Sequence, residues 1–95
     1  MSRVIEAVAR RVGVPAERLE REAVREWLER RLALVEAEIA EVRRRYGVES
    51  VEELERLVRE GKVPEHPGWE DLITLERLVE ERRRLREALE SVRQA

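Results

Sequence analysis

The chain has 95 residues, 44% of them charged and 42% hydrophobic, with 20 Lys and Arg against 22 Asp and Glu for a formal net charge of −2. Charges that alternate in sign near balance exclude the strong basic excess of a dedicated nucleic-acid surface, and the apolar share is too high for a disordered chain. The lack of cysteine excludes disulfides and thiolate metal sites, and no apolar run reaches the roughly 18 residues of a membrane span.

In chain order, Ser2 is placed to cap a short helix over about 2–12, whose inward face is expected to be Val4, Ile5, Val8 and Val12. Gly13 suits the left-handed position after it, and Pro15 suits the first turn of the next helix. That long helix is expected over about 15–46, ending at Gly47. Leu28, Leu32, Val35, Ile39, Val42 and Tyr46 form an unbroken seam along it, at alternating three- and four-residue steps. Beside the seam, Ala16, Leu19, Ala23, Trp27 and Leu34 make a second stripe. A helix apolar on two sides needs two covers, and the short first helix is expected to supply one.

Ser50-Val51-Glu52-Glu53 is a capping box opening a third, short helix over about 51–60, with Val51, Leu54, Leu57 and Val58 inward and Gly61 closing it. The segment from Lys62 to Gly68 reads as a turn, after which Pro67 opens a second long helix over about 67–93. Its seam is Leu75, Leu78, Leu85, Leu89 and Val92, with Arg82 in the one gap. The sum is an all-α chain, one domain over 1–95: a long antiparallel, coiled-coil-like hairpin with two short helices, completed by dimerisation or by a partner. Trp27, Tyr46 and Trp69 are the whole aromatic set, so the core must be aliphatic. Heavy charge with no Asn and a single Gln fits a thermophile. With no signal-peptide pattern, a cytoplasmic homodimer or complex is the expectation.

Chemistry finds little purchase. His66 is the only histidine, which excludes paired-His metal sites, and no Gly-rich phosphate loop or Ser/His/Asp spacing is present. Glu26 with Glu29, or Glu38 with Glu41, can share a helix face as carboxylate magnesium sites do, yet arginines interleave them as on a solvated face. A chorismate mutase-like site wants a lysine in a long helix, whereas Lys62 is in a turn. No catalytic, cofactor or metal residue is assigned. The triplets Arg43–Arg45 and Arg82–Arg84 point in several directions, and Glu26–Arg30, Glu41–Arg45 and Glu80–Arg84 are expected as ion pairs one turn apart. Arg82 either runs its stem past the seam or meets an acidic group of a partner. Trp69 is either a binding anchor or a cap on the bundle end near Tyr46.

The stretch Ala23-x3-Trp27-Leu28-x2-Arg31-Leu32 resembles the second helix of ribbon-helix-helix antitoxins of prokaryotic toxin–antitoxin modules. The stretch Tyr46-Gly47-x2-Ser50-x-Glu52-Glu53-Leu54, with Gly61, Pro64, His66 and Trp69-Glu70-Asp71, is similar to the C-terminal part of small antitoxin-like proteins. Residues 1–12 read as helix where that family has a DNA-reading strand, so the resemblance implies the toxin-covering half of an antitoxin's work. It implies a protein partner, such as a small nuclease toxin, with Trp27, Tyr46, Trp69, Glu70, Asp71 and Arg82 as contact residues. Two rivals stand beside it: a self-associating structural bundle, and a DNA-binding regulator using the first helix-turn-helix, the weaker of the two on charge.

Overall fold

In a computed structural model that describes residues 2–95, the chain forms four helices: α1 (Arg3–Val12), α2 (Ala16–Tyr46), α3 (Val51–Arg59) and α4 (Glu65–Gln94). The helix ends follow their local chemistry. The Ser2 hydroxyl accepts the Val4 N–H at 3.1 Å at the start of α1. Before α3, Ser50 Oγ accepts the Glu53 N–H at 3.2 Å, and the Glu53 carboxylate reaches back to the Glu49 N–H at 3.1 Å. Gly13 (φ 73°) and Gly47 (φ 64°) take the left-handed conformation that ends α1 and α2. Each turn sends the next valine's N–H back onto the helix: Val14 to the Ala9 carbonyl at 3.1 Å, Val48 to the Arg43 carbonyl at 3.0 Å. Within the first turn of α4, His66 and Pro67 are non-helical and joined by a cis peptide bond, so the regular run begins beyond Pro67.

Helices α2 and α4 lie antiparallel. Residue numbers fall along α2 as they rise along α4: Arg45 meets Asp71, Arg31 meets Glu81, and Arg21 donates to the carbonyls of Val92 and Ala95. The core lies in this seam. Val35, Ile39, Leu75 and Leu78 are all but sealed from water, with Leu28, Val42, Leu72 and Leu85 buried beside them. Helix α3 folds over the closed end, adding Leu54 and Val58, while Val48 fills the corner before it. Gly68 is buried where α3 meets α4: a Cβ there would come within 3.2 Å of Val58 Cγ2, so glycine sets the closeness of the approach. The molecule is a rod of 60 × 23 × 18 Å. No helix among the described residues is long and apolar enough to cross a membrane.

Three expectations are corrected. Helix α1 does not turn its valines inward: Val4, Val8 and Val12 are exposed, Ile5 is half-buried and Ala9 alone is buried. Its one substantial contact is with α2, and Ala23, Trp27 and Leu34 stay exposed. Two ion pairs choose other partners. Glu41 pairs with Arg44, which leaves Arg45 for Asp71, and Glu80 pairs with Arg83. The i,i+3 spacing competes well with i,i+4 on an exposed helix. Glu26–Arg30 forms as expected, at 3.1 Å.

Burying a leucine fully contributes roughly 1.5–3 kcal/mol, so the two seams account for the hairpin's cohesion. Leu75→Ala, at a position 1% exposed, should lower the unfolding free energy by about 2–5 kcal/mol. Ile73→Ala, two residues away but 64% exposed, should lower it by less than about 0.5 kcal/mol. Urea titration of both variants measures the contrast, and similar losses would contradict this packing.

Candidate protein-docking surfaces

The charged side chains divide into those spent inside the hairpin and those left free. Arg31 crosses from α2 to α4 and grips Glu81 with two parallel bonds, Nε to Oε2 at 2.8 Å and Nη2 to Oε1 at 3.1 Å. The arrangement matches the planar guanidinium to the planar carboxylate. The hydrogen bonds from Arg31 hold the Glu81 carboxyl below its ordinary range. At the closed end, Asp71 accepts both the Tyr46 hydroxyl and Arg45 Nη1, the latter at 3.0 Å. Burial, then the bond to Asp71, pushes the Tyr46 hydroxyl above its usual range. Tyr46 and Asp71, both expected at a partner surface, are thus tied to each other as a latch between α2 and α4.

The other expected contact residues lie apart. Trp69 is 37% exposed, while the Tyr46 hydroxyl is committed to Asp71. One turn along the same helix face stands Ile73, 64% exposed. Between them Glu70 lies in the first regular turn of α4; its own backbone N–H, then His66 at 3.2 Å, hold its carboxyl below the usual range. Trp69, Glu70 and Ile73 therefore form a small apolar patch with a negative edge, anchored beneath by Gly68. Arg82 is half-buried in the seam between Leu78 and Leu85 and enters no ion pair among the described residues.

The larger feature is at the other, open end. Of the eight large apolar side chains that stand out among the described residues, six precede Val35: Val4, Val8, Val12, Val24, Trp27 and Leu34. Trp27, expected as a contact residue, is 63% exposed; the α1 valines were expected to face inward. A shallow groove of about 330 Å³ runs between the start of α2 and the end of α4, lined by Glu17, Glu20, Arg21, Val24, Val92 and Ala95. Three of the four carboxylates weighed as metal ligands are engaged elsewhere, Glu26 on Arg30, Glu29 on Arg25 and Glu41 on Arg44. Among the described residues, no group of three His, Asp or Glu side chains is placed to hold a metal ion.

The chain belongs to the Uncharacterized protein MJ0235 family, which it matches over residues 1–95. No curated protein and no solved structure matches it.

The Arg31–Glu81 clasp carries a pH signature. Because the folded carboxyl titrates below its unfolded value, its stabilisation is complete above the unfolded pKa and is lost as pH falls through the folded one. Between about pH 7 and about pH 3 the wild type should lose more melting temperature than Glu81→Gln does. Parallel thermal melts measure this, and identical losses would contradict the clasp.

Proposed function

We propose that this member of the family is a non-enzymatic protein-binding module, an antitoxin-like chain that takes a toxin enzyme as its partner. The observation that carries the binding reading is the set of large apolar side chains left in water, Trp27, Leu34, Trp69 and Ile73 among them. Isolated exposed leucines are ordinary on a protein surface; clustered aliphatic groups around a tryptophan are the usual composition of an interface hot spot.

The patch of Trp69, Glu70 and Ile73 supports the partner class. It rests on a rigid base, since Gly68 and Leu72 beneath it are buried, so a partner would order few side chains on binding. Its carboxylate suits the basic groups by which a nuclease holds phosphate. The resemblance of the Trp69-Glu70-Asp71 segment to antitoxin-like chains supports the same partner. In this reading Asp71 acts from inside, locking α4 to α2 and so fixing the patch in place. The expected setting is the cytoplasm, and the ion pairs along the rod suit a heat-resistant protein.

Co-expression with the product of the neighbouring gene tests the proposal. The two chains should co-purify and toxicity should be relieved. Trp69→Ala with Ile73→Asp should weaken the complex by about tenfold or more while leaving the helical spectrum intact. A partner that fails to co-purify, or one indifferent to both substitutions, counts against the proposal.

A further inference from the structure

We infer that the open end is covered by a second copy of this chain, the α1 arm of each copy lying in the open groove of the other. The inference rests on the protein-binding reading but concerns a different surface from the Trp69 patch. It begins from a mismatch in α1. At 100° per residue the apolar side chains of this helix other than Ala7 span an arc of about 140°, from Val4 through Val8, Val12 and Ile5 to Ala9. Contact with its own α2 uses one edge of that arc, Ile5 and Ala9, and leaves the three valines, 69%, 43% and 60% exposed, in water. A ten-residue helix is marginal alone, and one buried alanine contributes little to hold it.

The groove between α2 and α4 has what the arm lacks. Its floor is apolar, Val24 and Val92, with Trp27 one turn along α2 from Val24. Its rim carries Glu17 and Glu20 with Arg21, which donates to the carbonyls of Val92 and Ala95. The arm offers a ridge of valines at four-residue steps with Arg11 beside it and Arg3 and Arg10 round the helix, against the single Glu6. Among the described residues none of these three arginines enters an ion pair, and neither Glu17 nor Glu20 does, although their neighbours on α2 do (Arg18 with Glu22, Arg25 with Glu29, Arg30 with Glu26). The net charge is thus positive on the arm, three arginines against Glu6, and negative on the groove, two glutamates against Arg21, and no residue of α1 lines the chain's own groove. A twofold pairing satisfies both arms at once, because the surface that each copy lacks is the one the other presents.

Light scattering and charge exchange test this. At micromolar concentration the full chain should scatter at twice its 11.3 kDa mass. Val8→Asp, at a side chain already exposed in the single chain, should weaken the dimer by about tenfold or more without lowering its helical content beyond that of α1. Arg10→Glu with Arg11→Glu should weaken it similarly at low salt, and adding Glu17→Arg with Glu20→Arg should restore it. A wild-type chain that stays monomeric at every concentration overturns the inference, as does a dimer indifferent to all of these changes. Should that monomer still capture the neighbouring gene product, the inference falls and the proposed function stands; should it capture nothing, both fall.

Discussion

The antiparallel contact of α2 with α4 is the constraint on which everything else in this molecule depends. With only three aromatic residues, the chain has no large ring to anchor a core and must build it from interdigitated aliphatic side chains. Two helices provide one line of contact, which explains why the sealed residues fall in a narrow row from Val35 to Leu78. A third body is needed to cap the row, and α3 supplies it with Leu54 and Val58. The polar ties follow the same geometry. Arg31 with Glu81 in mid-rod and Arg45 with Tyr46 and Asp71 at the closed end fix the sliding register that a smooth aliphatic seam leaves loose.

That economy leaves the two ends unlike. The closed end is wrapped by α3 and by the corner residue Val48. The open end has no equivalent of α3: α1 leaves the hairpin at its elbow and turns only Ala9 fully inward. The first third of the chain is thus helical in form but without an interior of its own. A domain this small buries only about 60% of its unfolded surface, so an uncovered apolar third weighs heavily against it. Association is the remedy proposed, and it would cover the exposed valines, Trp27 and Leu34, which intramolecular packing does not.

Much of this was legible in the residues. The two seams, the caps at Ser2 and Ser50 and the glycine ends follow from periodicity and backbone sterics, both local properties. The side a stripe faces is not local. Val4, Val8 and Val12 form an apolar face whichever body covers it, and the pattern alone assigned them wrongly to α2. Cross-helix pairing is equally hidden: spacing suggests Glu41 for Arg45, whereas the register of the hairpin delivers Asp71. Val48 could have been found, since a valine just after a left-handed glycine commonly packs back on the helix it ends. Of the expected contact residues, Trp27 and Trp69 stand exposed, while Tyr46 and Asp71 are bonded to each other between α2 and α4, a link of the tertiary register that spacing does not reveal.

Amide hydrogen exchange on the isolated chain at high dilution tests most directly the division into a self-sufficient hairpin and an open end in need of cover. Amides of α3 and of the buried stretches around Ile39 and Leu78 should exchange slowly, while those of α1 and of α2 before Leu28 should exchange far faster and gain protection as concentration rises or a partner is added. Uniform slow exchange from Val4 to Leu85 in a dilute monomer would contradict the account.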